Sequence, residues 1–255
     1  MRIAVIGGTG LAGSHTVHSL KRANHAVVVI SRSHGVDVFT GRGLEDALRG
    51  VETVIDASSI NGDEKTTSEF FTTSTGHILE AERRAGVKHH VLLSIVGIDR
   101  IGGNAHFAGK RAQEKALESS PIPITIQRAT QFFEFAEMIV GWTRQGDTAT
   151  LPPLLLQPMA AADIGDVLAE IAAGPAQGRA IDVGGPEPQD LVDLARRILT
   201  AKGETIRLIP SWSTPIAGVE AAGEAFLPGP EARLAPTTFD VWLATRSLAN
   251  QAKPT

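Results

Sequence analysis

Three glycines near the start of the chain restrict what this sequence can fold into. Gly7, Gly10 and Gly13 recur at three-residue spacing in Ile6-Gly7-Gly8-Thr9-Gly10-Leu11-Ala12-Gly13. The preceding run, 2–6, is nearly all apolar, as in a parallel strand buried on both faces, and a helix-like segment follows. Glycines in this context permit a tight turn and let backbone N–H groups approach a pyrophosphate at a helix N-terminus. The pattern predicts a dinucleotide-binding loop whose contact residues are Gly7, Thr9, Gly10, Leu11 and Gly13.

Strand-like and helix-like segments alternate through about residue 130. Apolar runs resembling the first one recur at 26–30, 53–57, 90–94 and 122–126. A helix with the 3.6-residue period extends to Ala85, where Gly86 can end it, and a shorter helix fits Leu44 to Leu48. This alternation predicts an α/β fold with a parallel sheet and helices on both of its faces.

The pattern changes from about Gly146, where prolines become frequent. We predict a helix from Ala162 to Ala173 with Asp163 as its N-cap, a strand from Arg179 to Val183, and an amphipathic helix from Gln189 to Ala201. The sequence therefore predicts a nucleotide-binding domain at residues 1–150. A smaller C-terminal lobe at 151–255 would pack on it and complete the substrate pocket.

Composition excludes several classes of protein. The 24 Lys plus Arg and 28 Asp plus Glu give no electrostatic reason to expect nucleic acid or an anionic membrane as a partner. No apolar run approaches the ~20 residues of a membrane span, and no signal-peptide pattern follows Met1, so we expect a cytoplasmic protein. The absence of cysteine excludes disulfides, thiolate metal sites and cysteine nucleophiles.

The residues at the end of the second strand-like run indicate whether the cofactor is NAD(H) or NADP(H). They read Ile30-Ser31-Arg32-Ser33-His34, and no acidic residue occurs from Ala26 through Val36. An NAD site usually places Asp or Glu about 20 residues after the glycines, where it binds the ribose 2′-hydroxyl. Arg32 can instead pair with a 2′-phosphate, and the hydroxyls of Ser31 and Ser33 can donate to it. The sequence therefore predicts NADP(H).

Together with the glycine loop, three later segments resemble the NmrA-like branch of the atypical short-chain dehydrogenases/reductases. They are Gly86-Val87-Lys88-His89-His90-Val91-Leu92-Leu93-Ser94, Gln127-Arg128-Ala129-Thr130-Gln131-Phe132 and Gln157-Pro158-Met159-Ala160-Ala161-Ala162-Asp163-Ile164. The resemblance implies a Rossmann-type, doubly wound parallel sheet with a small C-terminal substrate lobe. It also implies an NADP(H) site and a substrate pocket between the sheet's carboxyl edge and that lobe.

The same resemblance implies roles for several residues at strand ends. Ala57 and Ser58 would lie against the cofactor ribose, and Ser94 would lie near the nicotinamide. For Ser58 and Ser94 the alternative is a hydroxyl that only bonds nearby backbone. The residues placed beside the nicotinamide and the substrate are Thr130, Gln131 and Phe132.

The chain contains no tyrosine, although typical short-chain dehydrogenases use Tyr-x-x-x-Lys. The corresponding stretch is His106-Phe107-Ala108-Gly109-Lys110, in which His106 and Lys110 share one helical face. His106 can act as a general acid near neutral pH, or it can be an exposed residue at a helix start. Lys110 can bind ribose hydroxyls, or it can act alone as the acid, as the resemblance to isoflavone-reductase-like relatives implies.

We therefore predict an NADPH-dependent oxidoreductase that transfers hydride to a small apolar carbonyl, enone or quinone-like substrate. Lys110, His106 or a bound water would give the proton, with Ser94 as a third candidate catalytic residue. Two alternatives stay open: an NADP(H)-sensing regulator without turnover, and a redox-neutral isomerase or epimerase with bound NADP. His89-His90 is interpreted as strand-edge structure, and no metal site is predicted. Helices flanking the sheet are candidates for a homodimer face.

Overall fold

The computed structural model describes residues 1–60, 62–214 and 216–251, with side chains through Arg246. Its internal contacts divide the chain into two compact units. Unit 1 comprises Met1–Ala129 and Ile164–Ile181, and unit 2 comprises Thr130–Asp163 and Asp182–Thr255. The boundary predicted near residue 150 falls within the first segment of unit 2. The assignment of a cofactor domain to 1–150 and a substrate lobe to 151–255 stays a prediction.

The regular elements follow one another along the chain as strands and helices of very different lengths. The strands are β1 (Arg2–Ile6), β2 (Ala26–Ile30), β3 (Thr53–Asp56), β4 (His89–Ile95), β5 (Ile124–Ala129), β6 (Arg144–Gln145), β7 (Thr148–Leu151), β8 (Leu155–Leu156), β9 (Gly178–Arg179), β10 (Val183–Gly184), β11 (Gln189–Asp190), β12 (Arg207–Pro210) and β13 (Arg233–Leu234). The helices are α1 (Leu11–Arg22), α2 (Leu44–Leu48), α3 (Glu64–Ala85), α4 (Ala105–Glu118), α5 (Glu134–Thr143), α6 (Ala161–Ala173), α7 (Leu191–Lys202) and α8 (Phe239–Gln251). Within the described ranges, every helix is too short or too polar to cross a bilayer.

Unit 1 is built on a parallel sheet with the strand order β2-β1-β3-β4-β5-β9. The register pairs Ile6 of β1 with Ile30 of β2 on one side and with Asp56 of β3 on the other. The chain therefore extends the sheet to one side of β1 first and then to the other. Such a reversal opens a crevice at the carboxyl ends of the strands, where ligands of these sheets bind. This is the Rossmann-type, doubly wound arrangement that was predicted.

Helices cover both faces of this sheet, as two consecutive residues of β3 show. The hydroxyl of Thr53 donates to the carbonyl of Ala172 in α6 at 3.3 Å. Val54 points the other way, into a core that α2 and α3 complete through Leu44, Leu48 and Ile78. Successive strand residues face opposite sides, so a strand covered on both faces is largely apolar, and a polar residue in it, such as Thr53, is hydrogen-bonded.

Close contact between α3 and α4 depends on a glycine. A Cβ at Gly109 of α4 would lie 2.2 Å from Cδ2 of Phe71 in α3. Phe71 is fully buried, and its ring also contacts the His106 ring, with centroids 5.3 Å apart. Asp63 caps the start of α3 by accepting the Thr66 N–H, which fixes where this helix begins.

Unit 2 contains short strands and three helices around its own aromatic cluster. β7 pairs with β6 in the antiparallel sense and with β12 in the parallel sense, while β8 pairs with β11 and β10 with β13. The rings of Phe133, Phe239 and Trp242 pack against one another with centroids 5.3 to 5.5 Å apart. This cluster ties the start of α5 to α8.

Three local predictions were wrong. The strand predicted from Arg179 to Val183 is two separate strands, β9 and β10. Asp163 lies inside the first turn of α6 instead of capping it, because its carboxylate accepts the N–H and hydroxyl of Thr237 at 3.1 and 2.9 Å. The helix predicted from Gln189 begins at Leu191, because the Asp190 side chain caps it by accepting the Asp193 N–H at 2.8 Å.

Candidate functional site

The turn after β1 brings Gly7 and Gly13 into direct contact. A Cβ at Gly13 would lie 2.1 Å from the Gly7 carbonyl oxygen, and a Cβ at Gly7 would lie 2.7 Å from the Ala57 carbonyl oxygen. Gly7 also has a φ of +71°, and its carbonyl accepts the Gly10 N–H at 2.8 Å. Any side chain at Gly7 or Gly13 would force this backbone apart.

Ile6 and Gly7 together link the end of β1 to the carboxyl ends of β2 and β3. The Gly7 N–H donates to the Ile30 carbonyl at 3.0 Å, and the Ala57 N–H donates to the Ile6 carbonyl at 3.1 Å. The structure therefore brings three predicted cofactor segments together in unit 1: the glycine turn, the residues after Ile30, and Ala57 with Ser58.

The N-terminus of α1 is open to solvent. Thr9, Gly10 and Leu11 are exposed, and α1 begins without a side-chain cap or an acidic residue in its first turn. The first N–H groups of a helix lack intrahelical partners and carry partial positive charge. This end of α1 is therefore suited to a phosphate or another anion.

Four polar residues follow β2. Ser31 Oγ lies 2.9 Å from Ser33 Oγ and 2.9 Å from Nδ1 of His34. Arg32 is exposed, and across the described residues its guanidinium has no ion pair or hydrogen bond. His34 was not among the predicted site residues, although it stands directly after Ser33. The group combines hydroxyls, an imidazole and an unpaired cation, which is a suitable donor set for a phosphate.

Lys110 is buried, and its ammonium is held by backbone carbonyls. Its Nζ donates to the Ser58 carbonyl at 3.2 Å and to the Leu93 carbonyl at 3.1 Å. The ammonium also lies 5.1 Å from the centroid of the Phe71 ring, which is a cation–π distance. α4 thus places Lys110 between the ends of β3 and β4, next to the predicted ribose-binding residue Ser58.

Charge around Lys110 partly offsets its burial. Burial lowers the pKa of Lys110 below 10.5, while the carboxylates of Asp56 and Glu114 oppose that change. Asp56 is itself buried and accepts hydrogen bonds from the Ser58 N–H at 2.8 Å and from Nε2 of Gln113 at 3.2 Å. Asp56 and Gln113 were not predicted as site residues. A lysine with a lowered pKa gives up its proton more readily.

His106 is neutral in this structure at ordinary pH. Burial lowers its pKa to about 4, and repulsion from Lys110 adds to that effect, against a backbone hydrogen bond at Ile60. The His106 ring is held edge-on against Phe71, so it is not the fully exposed helix-start residue considered from the sequence. The structure brings His106 and Lys110 to one face of α4. The His106 imidazole is uncharged at neutral pH, so it lacks the second ring proton that a general acid would donate.

Ser94 is joined to a buried ionic network. Its hydroxyl donates to Oε1 of Glu114 at 2.5 Å, and Arg128 binds the same carboxylate through Nε at 2.9 Å and Nη2 at 2.7 Å. Arg179 adds a contact at 3.1 Å. These cations and the Ser94 hydrogen bond keep the pKa of Glu114 low in spite of its burial. Because the Ser94 hydroxyl donates its hydrogen bond to Glu114, its oxygen is left as an acceptor.

The predicted substrate residues Thr130, Gln131 and Phe132 lie in unit 2. The Thr130 hydroxyl donates to the Gln157 carbonyl at 2.7 Å, and its N–H donates to the Val183 carbonyl at 2.9 Å. Phe132 forms a β-bridge with Met159. Both amide atoms of Gln131 are buried without a hydrogen-bond partner among the described residues. An unsatisfied buried amide is costly, so Gln131 is suited to a ligand or water that offers both a donor and an acceptor.

The two adjacent histidines lie at the start of a buried strand, where they have structural partners. His89 and His90 begin β4, which lies between β3 and β5, and both are buried. Nε2 of His89 lies 2.8 Å from the Thr125 hydroxyl, while Nδ1 of His90 lies 2.7 Å from Glu82. No group of three or more metal-ligating side chains occurs in the described part of the chain.

The residues of unit 1 fit a dinucleotide. The glycine turn excludes side chains where a pyrophosphate would approach, and the open end of α1 supplies N–H groups. The Ser58 hydroxyl is buried and has no partner among the described residues, which leaves it available to a ribose. Arg32 supplies an unpaired cation after β2.

Solved structures confirm the fold. MoeE5 in complex with UDP-glucose and NAD superposes with a TM-score of 0.75 at 16% identity, covering 98% of this chain and 99% of that one. The NADPH-dependent quinone oxidoreductase QOR2 from Escherichia coli gives 0.71 at 18% identity, covering 96% and 99%. The Citrobacter sp. triphenylmethane reductase complexed with NADP(H) gives 0.64 at 17% identity, covering 83% and 79%.

A comparison with curated proteins found no match. The model of the NmrA-like family, in contrast, matches residues 1–183. That stretch contains the glycine turn, the residues after β2, Lys110, and Thr130 to Phe132. Since the match covers well over half of the sequence, the chain belongs to the NmrA-like family.

Proposed function

We propose that this protein is an NADPH-dependent reductase of a small apolar carbonyl, enone or quinone-like compound. The observation that carries the proposal is the unpaired Arg32, which follows β2 where Gly7 binds the Ile30 carbonyl. When bound, NADPH supplies the hydride. The protein binds the cofactor, orients the substrate and provides one proton.

Cofactor selection is assigned to the residues after β2. Arg32 would pair with the 2′-phosphate, and the hydroxyls of Ser31 and Ser33 would donate to it. No acidic residue occurs from Ala26 through Val36, where an acid would bind a 2′-hydroxyl and repel the phosphate. Two of the similar structures are described with NADPH or NADP(H), which supports the same choice.

Lys110 is proposed as the proton donor and as a ligand of ribose hydroxyls. Its ammonium can give a proton from Nζ to the substrate oxygen, and its lowered pKa makes this transfer easier at neutral pH. His106, with a pKa of about 4, is unprotonated there and is a poorer candidate. Ser94 would accept a hydrogen bond from the bound nicotinamide or ribose, since its hydroxyl already donates to Glu114.

An apolar substrate is supported by the surface of α5. Met138 and Trp142 are 39% and 48% exposed, and Phe135 packs edge-to-face on Trp142, so this helix presents adjacent apolar side chains to solvent. Gln131 and Phe132, just before α5, are proposed to contact the substrate, with Thr130 fixing the backbone beside them. The quinone oxidoreductase and triphenylmethane reductase among the similar structures support this substrate class.

The test measures binding first and turnover second. Fluorescence titration should show NADPH bound more tightly than NADH, and NADPH should be consumed with at least one member of a panel of carbonyls, enones and quinones. Equal affinities would overturn the cofactor assignment. Tight NADPH binding without any consumption across the panel would favour the NADP(H)-sensing regulator instead.

A redox-neutral epimerase or isomerase is a second candidate. It is supported by the nucleotide-sugar complex MoeE5, which has the highest TM-score of the structures compared above. An epimerase or isomerase should convert a nucleotide sugar to product with bound NADP that is regenerated in each cycle. The amount of reduced nicotinamide should then show no net change. Mass-balanced product analysis alongside the absorbance assay separates it from the reductase.

A further inference from the structure

Asp56 and Lys110 both bind the backbone of Ser58, one at its N–H and the other at its carbonyl. Asp56 Oδ1 accepts the Ser58 N–H at 2.8 Å, while the Ser58 carbonyl accepts a hydrogen bond from Lys110 Nζ at 3.2 Å. Asp56 is the last residue of β3 and is 1% exposed, so its carboxylate is shielded from water. The Asp56 carboxylate therefore fixes the backbone at Ser58, and the carbonyl of the same residue binds the Lys110 ammonium.

We propose that Asp56 is a positioning residue for Lys110: it fixes the Ser58 carbonyl that holds the ammonium, and its negative charge keeps that ammonium protonated. The inference rests on the proposed function in one respect only, namely that Lys110 serves as the proton donor. The arrangement itself is a property of the protein without cofactor or substrate.

The charged groups around Lys110 come from three elements, and α3 adds the Phe71 ring. Asp56 from β3 and Glu114 from α4 favour the ammonium. His90 from β4 and His106 from α4 also interact electrostatically with Lys110. Glu114 is already neutralised by Arg128 and Arg179, with which it forms ion pairs of 2.7 and 3.1 Å. Asp56 makes no ion pair in the described residues, so its charge is not neutralised in the same way; it acts on Lys110 and also on His90.

The substitution Asp56→Asn removes this negative charge and can keep the hydrogen bonds of the side chain. The oxygen of the new amide can still accept the Ser58 N–H. Its NH₂ group can donate to Oε1 of Gln113, which is buried and has no partner in the described structure. Gln113 needs only to flip its amide, so the hydrogen bonds are kept while the charge is lost.

The first experiment follows the free energy of unfolding against pH without any cofactor, in Asp56→Asn, Lys110→Met and the double variant. Burial depresses the pKa of Lys110 in the folded state, so the unfolded chain binds more protons and stability rises as pH increases towards 10.5. In Asp56→Asn this rise should begin at lower pH. Lys110→Met and the double variant should both lack this rise, although loss of Asp56 also affects the part of the curve that depends on His90. An Asp56→Asn curve parallel to the wild-type curve throughout would overturn the proposal.

Asp46→Asn is the matched control. Asp46, on α2, is exposed and pairs with Arg49 just after that helix, so the Asp46→Asn curve should stay parallel to that of the wild type. If Asp56→Asn does not fold, carbon NMR of the Asp56 carboxyl group in the wild-type protein decides the question. Its chemical shift should change at the basic pH where Lys110 loses its proton. A carboxyl signal with no such change in the folded protein would contradict the inference.

A kinetic measurement separates this inference from the proposed function. If NADPH is consumed, Asp56→Asn should shift the basic limb of the kcat profile to lower pH, whereas Asp46→Asn should not. An unshifted basic limb would contradict the role of Asp56. A protein that shows the Asp56–Lys110 coupling in unfolding but binds no cofactor would retain this inference and refute the proposed function.

Discussion

Nδ1 of His90 lies 2.7 Å from Oε1 of Glu82, and both side chains are almost completely removed from solvent. Burial alone would lower the pKa of His90, but the attraction and hydrogen bond of Glu82 outweigh it and raise the pKa above 6.5. The imidazolium is thus stabilised in the folded state. This contribution is fully present below pH 6.5 and is lost as pH rises through the raised pKa.

We therefore expect part of the protein's stability to disappear on the alkaline side of pH 6.5, and His90→Gln to lack that part. The substitution should also cost about 3–5 kcal/mol at low pH, because it leaves the Glu82 charge buried without a cation. Urea unfolding across this pH range measures both effects. His18→Gln, at an exposed site on α1, is the control and should follow the wild-type curve. Parallel curves for His90→Gln and the wild type would show that the pair is uncharged.

The contact of Gly13 with Gly7 gives a second prediction. Gly13→Ala would place a Cβ 2.1 Å from the Gly7 carbonyl oxygen, so the turn must open. We expect a loss of about 1–3 kcal/mol of stability, typical of overpacking, together with weaker NADPH binding. Thermal unfolding and cofactor titration measure these two losses.

Gly76→Ala is the matched control for Gly13→Ala. Gly76 lies in the middle of α3, is exposed, and a Cβ there meets nothing within 4 Å. Alanine should therefore stabilise the helix by about 0.5–1 kcal/mol and leave cofactor binding unchanged. Equal behaviour of the two variants would show that the glycine turn does not need its close contact.

Much of unit 1 could be predicted because its strands are buried on both faces. A strand in that position is largely apolar, so 2–6 stands out against the helix that follows; 26–30, a terminal strand that is only half-buried, is marked by its β-branched residues instead. Helix ends were predictable where glycine takes a positive φ, as Gly86 does at the end of α3. The glycine turn and the residues after β2 follow from the same local signals.

The polar interior could not be predicted in the same way, because its partners come from distant segments. Asp56 contacts Gln113 across 57 positions of sequence, and Glu114 is held by Arg128 and Arg179. One signal was present: Lys110, Gln113 and Glu114 have the spacing of the buried face of α4 that Leu117 continues. The two-residue strands β9 and β10 carry no such periodicity, and their pairing is decided by tertiary contacts.

Arg32 provides a prediction about cofactor choice. Arg32→Ala should weaken NADPH binding by about 10- to 100-fold, as expected for the loss of a charged hydrogen bond of about 1.5–3 kcal/mol. NADH binding should change little, since it lacks the 2′-phosphate. Arg196→Ala controls for the loss of an exposed arginine, because Arg196 pairs with Asp193 on α7. An equal loss for both cofactors would mean that Arg32 does not recognise the extra phosphate.

His106 and Lys110 lie one helical turn apart, and the difference in their protonation predicts different effects on turnover. Lys110→Met should lower kcat by about 100-fold or more, in the range that general acids contribute. His106→Asn should lower it by much less, because an imidazole with a pKa of about 4 holds no proton to give at neutral pH. The plot of wild-type kcat against pH should accordingly show no change of slope near pH 6.5 that His106→Asn removes. A change of slope there that vanishes in His106→Asn, with Lys110→Met still active, would transfer the role of acid from the ammonium to the imidazole.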